Sequence, residues 1–249
     1  MSSPKQPIRP AATVIIVRDA PDGFEALMLR RTNDAAFAGG MYVFPGGRVD
    51  GDDHLHAYDE LREGPSTRQV LQQRALGDEW RGFWIACIRE SFEEAGVLLA
   101  YDRQRKLLDL SDERTRARFD EYRRALNAGD LALDDIARRE NLRLAVDRIH
   151  FFNRWITPEG RPRRFDTRFF IAEAPPAQTS AHDDAETDDH VWITPRDALA
   201  RNKAGTFGLM GVTERQLTTL TEFPSVGAVR AMIEARTEFP VFRPVLPAA

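Results

Sequence analysis

The sequence predicts an α+β fold in which a mixed β-sheet is sandwiched between α-helices. Residues 12–19 and 24–31 are apolar runs on either side of an Ala-Pro-Asp-Gly turn, a pattern typical of a β-hairpin. Residues 80–95 place apolar side chains three and four positions apart, which indicates one face of a helix. Strands and helices follow one another without a regular alternation, so a mixed sheet is favoured over a series of βαβ units.

The remaining elements follow from the same criteria. Residues 41–47 form a short strand that ends in a Pro-Gly-Gly turn, and residues 48–78 are polar and irregular, as in an inserted surface segment. The helix that follows is expected to be capped by Asp78 and to end at Gly96. Further elements are two helices within 112–140 separated at 127–130, strands at 145–158, 163–174 and 190–195, and helices at 212–223 and 226–236. We therefore expect one domain over residues 1–249, with an insertion at 54–78, a helical insertion at 102–145 and C-terminal helices at 206–249.

Composition narrows the class of protein. The chain has 249 residues, 42% of them hydrophobic, and a formal net charge of −4, which disfavours a general binder of nucleic acids or anionic membranes. Its single cysteine, Cys87, lies on the apolar helix face and is expected in the core. Apolar runs are too short to span a bilayer, and the N-terminus lacks a signal-peptide pattern. We expect a cytoplasmic protein whose partner is a small molecule, with no nucleic acid and no membrane.

Three carboxylates crowd the last turn of the helix: Glu90, Glu93 and Glu94. Like charges at these spacings repel, and the repulsion grows next to an apolar core. Arg89 can neutralise one of them but not all three. A divalent cation with oxygen ligands, Mg²⁺ or Mn²⁺, would balance the others. The alternative is a solvated helix face held by salt bridges.

Two segments together resemble the Nudix box of the Nudix hydrolases. They are Pro-Gly-Gly-Arg-Val-Asp-Gly-Asp-Asp at 45–53 and Arg-Glu-Ser-Phe-Glu-Glu-Ala-Gly-Val at 89–97. The second matches the motif at eight of nine positions, with Ser91 in an apolar slot, while Asp53 stands where the family has glutamate. Residues 54–88, thirty-five positions, separate the halves where the family usually has seven. The branch that resembles peroxisomal coenzyme A diphosphatase carries an insertion here, and residues 155–170 and 185–195 resemble that branch too.

The resemblance implies a role for each matching residue. In the family, the box glutamates and a backbone carbonyl of the Gly-Gly turn bind the metal, the box arginine orients a glutamate, and a glutamate before a late strand is a general base. The residues that occupy these positions are Glu90, Glu93, Glu94 and Gly47 (or Gly46) for the metal, and Glu186, Glu93 and Arg89 for catalysis. For Glu186, six residues before Trp192, a solvated acidic loop is the alternative.

Substrate-binding residues are predicted upstream of the box and on one late strand. Arg31, Phe44 and Gly46 match the stretch that coenzyme A diphosphatases share, although Ala36 replaces an arginine of that stretch. Arg164 and Arg168 would lie on the same face of a strand, and arginine suits bidentate contact with phosphate. The structural alternative for the upstream stretch is a strand and turn that many Nudix domains share. For the late strand it is a solvated face with Asp–Arg pairs.

These features imply a metal-dependent hydrolase of the diphosphate bond in a nucleoside diphosphate derivative, with coenzyme A or acyl-coenzyme A as one substrate class. The alternatives are an ADP-ribose or dinucleotide pyrophosphatase, or a non-catalytic Nudix module that binds a nucleotide and regulates a partner. Binding-only relatives commonly lose the three glutamates, so their presence favours the enzyme. The insertion at 54–78 either covers the active site or forms a subunit contact, which leaves a homodimer open.

Overall fold

The computed structural model describes residues 7–32, 38–180 and 187–245. The strands are β1 (Ile8–Ala20), β2 (Gly23–Arg31), β3 (Tyr42–Val43), β4 (Gly46–Arg48), β5 (Arg62–Glu63), β6 (Ala100–Tyr101), β7 (Arg143–Ala145), β8 (Ile149–Ile156), β9 (Arg164–Glu173), β10 (Thr187–Ile193) and β11 (Val241–Phe242). The α-helices are α1 (Thr67–Leu76), α2 (Trp80–Ala95), α3 (Glu113–Asn127), α4 (Leu133–Glu140), α5 (Pro195–Lys203), α6 (Gly211–Leu220) and α7 (Val226–Ala235). None of the helices in these ranges is both long enough and apolar enough to cross a membrane.

The main sheet is mixed, as the sequence predicts. Its strand order is β10-β2-β1-β9-β8-β11, and β3 and β4 pair with the edges of β2 and β1 where those two strands diverge. The pairs β1–β9 and β8–β11 are parallel, and the other pairs of this sheet are antiparallel. A small second sheet has the order β5-β7-β6.

Alternating side chains of β1 separate the core into two layers. Val14 and Ile16 pack with α2, α3 and α4 on one face of the sheet. Ile15 and Val17 pack with α5, α6 and α7 on the other. This two-sided burial follows from the period of two along a strand, and it confirms the expected sandwich of a sheet between helices.

The inserted segment contains a helix that its sequence does not predict. In α1 the polar residues Gln69 and Gln72 are buried, while Val70 and Leu71 are about half exposed. The Gln69 amide donates to the carbonyl oxygens of Val146 and Ile149, at 2.6 and 2.8 Å. The usual apolar stripe is therefore reversed, and a search for apolar periodicity misses the helix.

Two helix boundaries also differ from expectation. The prediction that Asp78 caps α2 is wrong, because the helix begins at Trp80 after Glu79 without a side-chain cap. Thr194, assigned to a strand end, instead caps α5: its hydroxyl accepts from the Asp197 backbone N–H at 3.1 Å. The end of α2 is as predicted, since Gly96 adopts the left-handed conformation with φ of 67°.

Candidate active site

The acidic turn, Glu90, Glu93 and Glu94, is the last turn of α2. Gly96 ends the helix in a left-handed conformation, and the Val97 N–H bonds back to the Ser91 carbonyl at 3.1 Å. The buried Ser91 hydroxyl, which has one proton to donate, lies 3.0 Å from the Ile88 carbonyl oxygen and 2.9 Å from that of Val97. The serine therefore fits the apolar slot of the motif because its hydroxyl finds an acceptor within this turn of backbone.

The Gly-Gly turn brings the backbone against these carboxylates. The Gly46 N–H donates to Glu94 Oε2 at 2.8 Å. A Cβ atom at Gly47 would lie 2.4 Å from Glu90 Oε1, and a Cβ at Gly46 would lie 2.5 Å from the Ala12 carbonyl oxygen. Gly46 also has a φ of 155°, which other residues rarely adopt. Glycine at position 47 thus lets the turn meet the helix, and glycine at position 46 lets the same turn lie against β1.

Arg89 joins the two halves of the motif. Its guanidinium binds Asp53 in a fork, with Nε–Oδ1 and Nη2–Oδ2 distances of 3.0 Å each. Nη1 donates to Glu90 Oε1 at 2.9 Å and to Glu93 Oε2 at 2.8 Å. Asp53 is buried and also accepts from the Asp50 N–H at 2.8 Å. The shorter aspartate thus reaches Arg89 despite the thirty-five residues between them in the sequence.

Burial and like charge shift the titration of this cluster. Burial, together with the neighbouring Glu93 charge, raises the pKa of Glu90 to about 8, although Arg89 opposes the shift. Burial likewise raises the pKa of Glu93. For Arg89, burial disfavours the charge, but the bond to Asp53 and the nearby glutamates raise its pKa above the ordinary value. One guanidinium therefore balances these carboxylates incompletely, as the sequence predicts.

The carboxylate groups of Glu90, Glu93 and Glu94 do not converge on a common position that a metal ion could occupy. In the described parts of the chain, no three His, Cys, Asp or Glu side chains are arranged to hold a metal ion. Glu90 and Glu93 instead share one nitrogen of Arg89, and Glu94 faces the Gly46 amide. The side-chain atoms that could bind a metal here are all carboxylate oxygens, the ligands that a hard divalent cation prefers.

A contact that sequence reasoning missed supports the acidic turn from α3. The buried Arg123 donates through Nε to the Glu93 carbonyl at 2.8 Å, and Asn127 donates to the same oxygen at 3.3 Å. This carbonyl lies in the last turn of α2, where carbonyls lack helical partners and a cation is favourable. Arg123 and Glu93 are thirty residues apart in the sequence, so no local sequence pattern predicts the contact.

The predicted substrate-binding residues lie in three places. Arg31 ends β2, where its backbone pairs with Thr187 and its N–H bonds to the Met41 carbonyl. Phe44 is only 4% exposed and packs in the core on the α5–α7 face, so it anchors the Gly-Gly turn, and its contact with substrate stays a prediction. Arg164 and Arg168 line a cavity near the first turn of α2. Glu186 lies outside the described residues.

Comparisons with known proteins define the class. A sequence profile described as the NUDT19 Nudix domain matches residues 66–209, more than half of the chain. The acyl-coenzyme A diphosphatase NUDT19 of Gallus gallus is 27% identical over 88% of this chain and 69% of its own length. That of Homo sapiens is 29% identical over 71% of this chain and 55% of its own length. The chain spans between 55% and 69% of the length of four curated relatives that it matches.

A solved structure agrees with the sequence comparisons. The crystal structure of a Nudix hydrolase from Alicyclobacillus acidocaldarius superimposes with a TM-score of 0.76 and 26% identity, and covers 91% of this chain and 96% of that one. Fold, motif and profile define an enzyme class, the Nudix hydrolases. Within it, the chain belongs to the NUDT19 Nudix domain family.

Proposed function

We propose that this protein hydrolyses the diphosphate bond of a nucleoside diphosphate derivative, with coenzyme A or acyl-coenzyme A as the substrate class. One observation carries the proposal: the acidic turn is docked on the Gly-Gly turn, with Glu94 bonded to the Gly46 amide and Glu90 against Gly47. The NUDT19 relatives are named as acyl-coenzyme A diphosphatases, and this supports the substrate class.

The proposed cofactor is Mg²⁺ or Mn²⁺, and the oxygen-only donor set suits either ion. Glu90, Glu93, Glu94 and the carbonyl of Gly47 would hold it. Burial supports this assignment, because the pKa values of Glu90 and Glu93 are raised, as expected of carboxylates that lack sufficient positive charge. When bound, the metal would neutralise the diphosphate and acidify a water molecule.

The side chains of this protein would prepare the reaction. Arg89 holds Glu90 and Glu93 through Nη1 and Asp53 through its other two nitrogens, so we propose that it orients the glutamates rather than binding substrate. The Gly46 N–H fixes the Glu94 carboxylate. Glu186 is proposed as the general base that accepts the proton of the attacking water. Arg31, Phe44 and Gly46 are proposed as substrate-binding residues.

We also propose a single Nudix domain over residues 1–249. The main sheet supports this, since β1, near one end of the chain, and β11, near the other, belong to the same sheet. The cytoplasmic location and the homodimer stay predictions from sequence.

A panel assay tests the proposed function. Coenzyme A, acetyl-coenzyme A, ADP-ribose, NADH and diadenosine polyphosphates are offered with Mg²⁺ or Mn²⁺ to wild type, Glu94→Gln and the control Glu121→Gln. The Glu94→Gln variant keeps a side-chain oxygen for the Gly46 amide, and Glu121 is an exposed residue of α3. We expect metal-dependent cleavage of coenzyme A species that Glu94→Gln loses and Glu121→Gln retains. Nucleotide binding without cleavage of any substrate would favour the regulatory module instead.

A further inference from the structure

A cavity of 890 Å³ lies where β1, β8 and β9 meet the start of α2 and the chain after β11. Its charged lining consists of Glu79, Arg154, Glu159, Arg164, Asp166, Arg168 and Arg243. The four arginines exceed the three carboxylates by one charge. Its volume lies in the range of small-molecule and cofactor sites, roughly 300–1,000 Å³.

Two arginines that line the cavity share one carboxylate. Arg154 Nε and Asp166 Oδ1 are 2.7 Å apart, and Arg168 Nη1 and Asp166 Oδ2 are 2.8 Å apart. The Arg168 guanidinium also lies 4.2 Å from the centre of the Phe83 ring, which fixes its plane. Its buried Nε has no hydrogen-bond partner in the part of the chain that the structure describes. Within the described residues, Asp166 engages Arg168 through Nη1 alone, by its carboxylate at 2.8 Å and its carbonyl oxygen at 3.1 Å, so donor capacity toward a ligand is left at the other terminal nitrogen, Nη2.

Arg164 adds a second buried guanidinium, 7% exposed. Its Nε donates to the Thr157 carbonyl at 3.2 Å, and its Nη1 is 3.8 Å from the Glu159 carboxylate, whose side chain is 71% exposed. A pair at that distance and exposure contributes little. Arg164 can therefore turn its outer nitrogens to a ligand without breaking a strong ion pair.

The chemistry of this lining selects phosphate. Arginine forks match the paired oxygens of phosphate, and buried, pre-positioned guanidinium groups bind it better than exposed ones. Ile8, Pro10, Ile156 and Pro158 supply an apolar wall beside the charges. The cavity thus suits an organic phosphomonoester rather than a free hydrated ion.

The cavity also lies at a useful distance from the box. Ala12 pairs with Gly47 on one side and with Arg168 on the other, so two strand spacings, about 10 Å, separate these backbones. The Arg168 guanidinium and the Glu90 carboxylate both lie on the α2 face of the sheet. The sugar of one nucleotide can bridge a separation of this order.

Resting on the proposed function, we propose that this cavity binds a phosphomonoester on the nucleoside half of the substrate, remote from the diphosphate that is cleaved. The enzyme would then prefer substrates with a ribose phosphate, as in coenzyme A, over the same molecules without it. Arg164 and Arg168 are the specificity-determining residues.

Kinetics on a matched pair of substrates tests this directly. Coenzyme A and dephospho-coenzyme A differ only in the ribose 3′-phosphate. For Arg164→Gln we expect kcat/KM to fall about 10- to 100-fold with coenzyme A, the value of a charge-assisted hydrogen bond, and to change less than about 2-fold with dephospho-coenzyme A. The control Arg163→Gln removes an exposed neighbouring charge and should alter neither. An equal loss on both substrates would overturn the subsite and leave the proposed function intact.

Direct binding separates the two proposals. Titration calorimetry should show that adenosine 3′,5′-bisphosphate binds wild type at least about 10-fold tighter than adenosine 5′-monophosphate, and that Arg164→Gln abolishes the difference. Arg243→Gln, an exposed cavity arginine whose loss should not affect folding, should reduce it. If wild type binds adenosine 3′,5′-bisphosphate more tightly but hydrolyses no substrate, the phosphate site is supported and the proposed function is overturned. Equal affinities in wild type would overturn the subsite.

Discussion

Gly47→Ala is expected to damage the active site through one collision. The new methyl would lie 2.4 Å from Glu90 Oε1 and 2.7 Å from its Cδ, roughly 1 Å inside normal contact. Gly47 has no positive φ, so backbone strain does not contribute. Because the colliding atoms end a side chain that is buried, we expect a loss of about 1–2 kcal/mol in the free energy of unfolding, which lowers Tm by about 2–8 °C.

Activity should suffer more than stability. A displacement of about 1 Å in a catalytic group can reduce kcat by about 10²-fold, and we expect a loss of that order. Thermal unfolding and hydrolysis of coenzyme A measure these two effects, and Mn²⁺ titration measures whether metal binding changes with them. Gly51→Ala is the matched control: nothing lies within 4 Å of its Cβ position, so its effect should stay within about 0.5 kcal/mol.

A double-mutant cycle identifies the cause. In a Glu90→Ala background the added methyl at position 47 meets no carboxylate, so the cost of Gly47→Ala should largely disappear. We expect a coupling of about 1–2 kcal/mol between the two sites. If Gly47→Ala costs the same in both backgrounds, the contact between the turn and Glu90 is not what requires glycine here.

Three further predictions concern other parts of the molecule. Arg123→Met should lower kcat with little change in KM and cost about 1–3 kcal/mol of stability, because the Glu93 carbonyl loses its buried donor; Arg123→Lys should restore part of kcat, and an unchanged kcat in the Met variant would exclude a positioning role. Burial lowers the pKa of His150 below its ordinary value of 6.5. As pH falls below about 6.5, His150 therefore takes up a proton in the unfolded chain before it does so in the folded one, and the free energy of unfolding should decrease. Urea unfolding at about pH 7.5 and 5.5 should show a smaller fall for His150→Gln, and equal falls would contradict the assignment. Glu186→Gln should lower kcat by about 10²-fold or more at unchanged Mn²⁺ affinity, with Asp183→Asn as a control; a normal rate would remove Glu186 from the mechanism.

The acidic turn could be predicted because its information is local. Apolar spacing sets the helix, Gly96 sets its end, and the three glutamates follow from their positions on the last turn. The alternation of Arg164 and Arg168 on one strand face is equally local and is confirmed by their shared cavity. Their distance from the box depends on the register of β9 against β1, which the sequence does not reveal.

Other features depend on contacts between distant segments. The Arg123–Glu93 bond joins α3 to the acidic turn, and arginines are too common in α3 for one to be singled out. The sequence pattern misses helix α1 because polar side chains, not apolar ones, hold its inward face. Gln69 and Gln72 form hydrogen bonds to the backbone of β8 and of the turn that precedes β8. Tertiary hydrogen bonds there outweigh the pattern that sequence reasoning uses.

The long spacer between Asp53 and Arg89 shows how cheaply this enzyme tolerates added chain. Lengthening a closed loop from seven residues to thirty-five costs about 1.4 kcal/mol of entropy, because the term grows only with the logarithm of length. The buried fork between the two residues, with its 3.0 Å contacts, can offset a cost of that size. The spacer is therefore a suitable position for inserting new segments. Relatives with spacers of other lengths should be found by searching for the two halves of the motif separately and requiring that they lie together in the structure.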